Sequence, residues 1–140
     1  MIYTSYFAKL KQIEELNIIP VSICGRCPDW YKGNQYKKLA PNYKFFMEWK
    51  QNQDNDFYVE HFQKEILDNR NINIVLQDLF NFFSTDQQEF IKNSHTPYWM
   101  NNDFNIALIC YEKPSDFCHR HLVADWMTKN GIPVKELIIK

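Results

Sequence analysis

Apolar positions along the 140-residue chain follow two rhythms, and each predicts a type of element. Ile2-Tyr3-Thr4-Ser5-Tyr6 is a short run of β-formers, while Ile18-Ile19-Pro20-Val21-Ser22-Ile23-Cys24 and Ile106-Ala107-Leu108-Ile109-Cys110 are nearly continuous apolar stretches. Runs without alternation are what strands covered on both faces look like. Pro20 has no N–H for a ladder and blurs where the second strand starts. The segment from Ile132 to Ile139 supplies a last strand. Between the strands the spacing changes to three and four. Phe7, Leu10, Ile13 and Leu16 share a helical face that closes at Asn17. Phe45, Phe46 and Trp49 follow Pro41, and Phe57, Phe62, Ile66 and Leu67 mark another helix. Ile72 to Leu76 fits either a strand or a helix, but Leu76, Leu79, Phe80 and Phe83 favour a helix running to about Ser84. Ser115 reads as the N-cap of a helix from Asp116 to Lys129, stopped by Asn130-Gly131.

Strand-helix-strand, twice over, implies parallel pairing through right-handed crossovers. The expected fold is therefore α/β in three layers, a mostly parallel sheet flanked by helices, as one Rossmann-like domain over 1–140. No repeat and no Pro- or Gly/Ser-rich linker divides the chain. Two stretches break the pattern. The segment 25–41 is a long loop dense in turn formers, aromatics and cations, a length that usually signals function or mobility. The segment 85–105 is polar and turn-rich, with an aromatic knot at His95-Thr96-Pro97-Tyr98-Trp99-Met100, and is expected to be irregular or to hold a short extra helix.

Composition narrows the classes. Hydrophobic residues make up 45% and aromatics 16% of the chain, enough to offset the entropy lost on folding, so global disorder is excluded. Sixteen Lys+Arg against seventeen Asp+Glu leave a net charge of −1, which lends no support to nucleic acid as a partner. The longest apolar run is far below the ~18 residues of a membrane span, and the first residues lack a basic leader and apolar core, so a cytoplasmic protein without a membrane partner is expected. Abundant Asn and Ile with scarce Gly suggest an AT-rich bacterial or phage genome. In a reducing compartment Cys24, Cys27, Cys110 and Cys118 read as packing, metal or reactive groups before disulfides.

Ligands of open parallel sheets bind beyond the carboxyl ends of the strands, where helix N-termini and loops converge. If the second strand and the strand at 106–110 are neighbours, all four cysteines share that rim. Placed in the first turn of the expected helix, Cys118 would feel the helix dipole, and Arg120 with His119 or His121 would add positive charge, the setting that turns a thiol into a nucleophile. Glu112 could orient a histidine or carry a proton. The plainer alternative is that Cys118 is a small buried hydrophobe and His119 a satisfied core histidine. Arg120 is the best anion anchor, against pairing with Glu112 or Asp116. Cys24-Gly25-Arg26-Cys27 has zinc or redox spacing, and with Cys110 and Cys118 it would complete a four-thiolate zinc set, although C-x7-C is not a usual knuckle. Trp30, Tyr31, Lys32, Tyr36, Lys37 and Lys38 interleave aromatics with cations, as a nucleotide or nucleic-acid surface does and as a lid on a sheet edge also does.

Ile106 to Arg120, with Cys110-x-Glu112 and Cys118-His119-Arg120, resembles the signature of the bacterial family called domain of unknown function 488. Tyr3-Thr4, the segment around Val21-Ser22-Ile23 with Pro28, Trp30 and Gly33, and Tyr36-Lys37-Lys38-Leu39-Ala40-Pro41 are similar to it as well, while 85–105 resembles an insertion. The resemblance implies a small α/β enzyme with Cys110, Glu112, Cys118, His119 and Arg120 in its site, and names no substrate. Where the family resembles Asp-x-Arg after the second strand, this chain has Ser22-Ile23-Cys24, with Arg26 as a partial replacement.

These observations predict an enzyme acting on a small anionic or nucleotide-like ligand. Cys118, His119, Glu112 and Cys110 would carry the chemistry, and Arg120, Arg26, Ser22, Trp30 and Tyr3 would hold the ligand. The alternative is a non-enzymatic binding module, either zinc-stabilised or a nucleic-acid adaptor.

Overall fold

The computed structural model describes residues 1–94 and 96–139, so His95 of the expected aromatic knot lies outside the described residues. Five parallel strands form one sheet in the order β3-β2-β4-β1-β5, with β1 at Ile2–Tyr6, β2 at Ile19–Ser22, β3 at Asn34–Gln35, β4 at Ile106–Cys110 and β5 at Val134–Glu136. Ile2 pairs with Ile106 and Val134, and Ser22 pairs with Ile109. The second strand and the strand at 106–110 are thus neighbours, which puts Cys24 and Cys110 on one rim.

Pro20 does no harm inside β2. Ile19 and Ile23 send their N–H groups to Asn105 and Ile109 on the β4 side, so the missing N–H of Pro20 falls on the other side. There β3 begins only opposite Val21.

Every residue of β4 is buried, and its alternate side chains enter two different cores. Ile106 and Leu108 pack with Val21, Phe62, Leu76, Phe80, Phe104, Val123 and Met127. Ala107 and Ile109 pack on the opposite face with Phe7, Ile13, Ile18 and Tyr31. The first face is covered by α2 (Tyr43–Asn52), α3 (Asn55–Glu65), α4 (Ile72–Phe80), α5 (Thr85–Lys92) and α6 (His119–Lys129), all but α1. The second is covered by α1 (Leu10–Glu15) and by the loop that carries Cys24 and Tyr31. Each fully buried Ile or Phe of these cores is worth about 1.5–3 kcal/mol of transfer free energy, so the sheet is fixed from both sides. The result is the expected α/β layering.

Helix ends follow local chemistry. Asn17 takes φ 58° after α1, and Gly131 takes φ 84° after the C-cap of α6, a conformation that costs glycine little. α4 stops at Phe80, earlier than the expected Ser84, because Ser84 caps the next helix: its Oγ accepts from the Gln87 N–H while Gln87 Oε1 accepts from the Ser84 N–H. Among its described residues the segment 85–105 therefore holds α5 and a 3-10 turn at Tyr98–Met100. The largest revision concerns α6. It begins at His119 with Cys118 as N-cap, not at Asp116 with Ser115 as cap. A turn from Lys113 to Asp116 and the packing of Phe117 between Trp49 and Tyr58 keep the chain out of helical geometry until Cys118.

Candidate functional site

At the carboxyl ends of β2 and β4 a cleft of about 820 Å³ opens between the strand-end loops and α2, within the usual range of ligand sites. Cys118 and His119 line it, together with Cys24, Arg26 and Glu112. Six aromatic side chains, Tyr43, Phe46, Trp49, Tyr58, Tyr111 and Phe117, face the same space, with Phe117 edge-on to Tyr58 at 5.0 Å between ring centroids. Four cationic side chains line the cleft, Arg26, Lys37, Lys50 and Arg70, and the single carboxylate there is Glu112. Charge is thus concentrated at one place on a chain whose net charge is only −1.

The sulfurs of Cys110 and Cys118 are bonded, with their Cα atoms 7.6 Å apart. This replaces the expectation that all four thiols are free. Cys24 and Cys27 are free. His119 is buried, and its Nε2 lies 2.7 Å from the Ile23 carbonyl. A carbonyl only accepts, so Nε2 carries the hydrogen and Nδ1 keeps its lone pair, 3.9 Å from Cys118 Sγ. Burial pulls the His119 pKa down to about 4, with Arg120 and His121 adding to it. The ring is therefore neutral near pH 7, and it does not supply the positive charge that the sequence suggested for activating Cys118.

Arg120 is the second revision. Its side chain is fully buried, with Nε 3.0 Å from Glu136 Oε1 and Nη1 3.0 Å from Cys110 Sγ, and Nη1 also donates to the Glu112 carbonyl. Each guanidinium nitrogen has a protein partner, and the buried side chain does not line the cleft, so it is not placed to anchor a ligand there. Its partner is neither Glu112 nor Asp116 by side chain but Glu136 from β5, sixteen residues along the chain.

Other expected ligand contacts also lie elsewhere. Ser22 is buried, and its Oγ accepts from the Cys24 N–H and the Cys27 thiol, so it shapes the turn after β2. Tyr3 packs against the second core, and Trp30 is exposed and meets Phe7 edge-on; neither lines the cleft. Tyr31 and Tyr36, the aromatics that made 25–41 resemble a nucleic-acid surface, are buried and hydrogen-bonded to Asn34 O and to Asp78. Of that segment, Gly25, Arg26, Lys37, Ala40 and Pro41 line the cleft, and Arg26 and Lys37 bring its charge. The four-cysteine zinc set does not form. Among the described residues, the group close enough to share an ion is Cys110, Cys118 and His119, and Cys24 and Cys27 are outside it. Burial pushes the Cys24 thiol up to about 12, which keeps it protonated and inert.

The aromatic wall, Lys50 and Arg70 were missed in the sequence. In the sequence Phe46 and Trp49 read only as members of a helix after Pro41, and nothing near Arg70 marks it. Lys37 did lie in a segment singled out for its mixture of cations and aromatics. No family model, curated protein or solved structure matches this chain.

Proposed function

We propose that the chain is an enzyme acting on a small anionic ligand with a flat ring, a nucleotide-like molecule, bound in the cleft with its reacting group against Cys118 and His119. The observation that carries this reading is the lining of the cleft: four cations against one carboxylate beside six aromatic rings, with a cysteine and a neutral histidine in the same wall. Rings offer a stacking surface to any base, and Lys or Arg beside them favour a phosphate or carboxylate. Glu112 lies close enough to serve as proton donor or acceptor to a ligand held there. The resemblance of Cys110-x-Glu112 and Cys118-His119-Arg120 to the domain of unknown function 488 family belongs to this proposal, with Arg120 as a positioning residue that ties α6 to β5 and contacts Cys110.

Calorimetric titration of the reduced chain with nucleoside mono- and diphosphates at two salt concentrations tests the reading. Binding that weakens with salt supports it, and conversion of the bound nucleotide that is lost in Cys118→Ser while binding persists supports the enzyme. Absence of binding for every nucleotide at millimolar concentration overturns it.

A further inference from the structure

Three ligand-type atoms converge at the inner end of the cleft. Cys110 Sγ comes from the last residue of β4, Cys118 Sγ from the N-cap of α6, and His119 Nδ1 from the residue after it, and all lie within 4.8 Å of one another. All three residues are buried. We propose that, once the Cys110–Cys118 bond is reduced, these atoms bind one zinc-like divalent ion whose fourth position opens into the cleft.

Three observations support it. The first is the histidine. Its Nε2–H is held by the Ile23 carbonyl at 2.7 Å, which fixes the ring and leaves Nδ1 bare toward the sulfurs. A ligating histidine is oriented in this way, by donating its other nitrogen to a carbonyl or carboxylate. The core-histidine reading does not use Nδ1, whose nearest partner is the 3.9 Å sulfur.

The second is spacing. Tetrahedral geometry with Zn–S near 2.3 Å and Zn–N near 2.05 Å needs roughly 3.6 Å between nitrogen and sulfur and roughly 3.8 Å between sulfurs. The Nδ1 to Sγ distance of 3.9 Å is already close to the first. The Cα atoms of the two cysteines, 7.6 Å apart, stand wider than the about 4.4–6.8 Å usual for bridged pairs, so side-chain rotation on reduction suffices to part the sulfurs.

The third is charge. Arg120 Nη1 lies 3.0 Å from Cys110 Sγ, and the guanidinium is itself neutralised by Glu136, so it adds no net positive charge beside the sulfurs. Two thiolates and a neutral imidazole then balance a divalent ion within a buried site. Because Cys118 and His119 also line the cleft, the set has three protein ligands and an open side, the arrangement of catalytic rather than structural zinc.

The oxidised and metal-bound states exclude each other. A phosphine reductant gives two electrons to the sulfur–sulfur bond and leaves as its oxide, water supplying the oxygen and the two thiol protons. The ion then displaces those two protons on binding. The metal site rests on the proposed function only for what occupies the fourth position.

The test is anaerobic titration of the full chain with Zn²⁺, and with Co²⁺ as an optical probe, in the reduced and oxidised forms. Reduced protein is expected to take up one ion per chain, to release two protons per ion, and with Co²⁺ to show thiolate-to-metal charge-transfer absorption. Oxidised protein is expected to take up none. Cys110→Ser and His119→Ala are expected to weaken binding by about a hundredfold or more, while the Cys24→Ser/Cys27→Ser double variant binds as the parent does. Failure of the reduced parent to bind either ion overturns the proposal, as does binding that is lost only in the Cys24→Ser/Cys27→Ser variant. The comparison of reduced with oxidised parent stands even if a variant fails to fold. Nucleotide binding without metal leaves the proposed function intact and removes this site, and metal uptake without nucleotide binding does the reverse.

Discussion

Arg120 Nε and Glu136 Oε1 lie 3.0 Å apart, and the pair fastens the first turn of α6 to the edge strand β5. The same carboxylate oxygen accepts from Thr4 Oγ1 of β1 at 2.8 Å, so one acidic side chain joins three elements. Removing one member of a buried pair strands the other charge, which costs about 3–5 kcal/mol. Glu136→Ala is therefore expected to lower unfolding free energy by that amount in urea titration, and Thr4→Val by only about 1 kcal/mol. A loss below about 1 kcal/mol for Glu136→Ala would mean that Arg120 reaches water.

A tight approach fixes the loop after β2. A Cβ built at Gly33 would sit 2.6 Å from the Tyr31 hydroxyl, which itself donates to the Asn34 carbonyl at 2.7 Å. Tyr31 also packs edge-on against Phe7. Gly33→Ala must displace that ring and is expected to destabilise by about 1–3 kcal/mol, against about 1 kcal/mol for Tyr31→Phe. Equal thermal midpoints for Gly33→Ala and the parent would contradict the packing.

Alkaline pH should destabilise the chain. Burial raises Cys24 from 9.0 to about 12 and Tyr31 from 10.0 to about 12. Unfolded chains lose these protons first, so they bind fewer protons than the folded state between pH 9 and 12, and stability falls as pH rises through that window. Chemical denaturation at a series of pH values should show the decline, and Cys24→Ala should delay its onset. Thiol labelling gives an independent reading, since Cys27, half-buried at the edge of the second core, should react before the buried Cys24 at pH 8.

Arg26 and Lys50 are exposed residues of the cleft. Their alanine variants should leave the thermal midpoint within about 0.5 kcal/mol of the parent and reduce both the affinity for a nucleoside diphosphate and the slope of log affinity against log salt. Unchanged slopes would place the ligand elsewhere.

The strands were legible because burial on both faces writes continuous apolar runs into the sequence, and β4 is the plainest case. β3 was not, since Asn34-Gln35 is polar and is a strand only through pairing with Val21 and Ser22. α5 does carry a local sign in the sequence: Ser84 followed three residues later by Gln87 is a capping box. At the site, Cys118 and His119 were found from their place after the apolar run at 106–110. The bond to Cys110 and the engagement of Arg120 by Glu136 were not, because each depends on where separate segments end in space. The charge around Cys118 also misled: His119 is neutral, and the cation at Arg120 faces Cys110.

The strand order has a consequence for how the chain acquires its structure. β1 touches only β4 and β5, and β2 touches only β3 and β4, so the two earliest strands share no neighbour until Ile106–Cys110 has been made. During synthesis the first hundred or so residues can form helices and the small β2–β3 pair, but no sheet centre. Such long-range closure makes folding slow, and a ribosome-bound chain halted before β4 should remain protease-sensitive and then become protected abruptly when that one strand emerges.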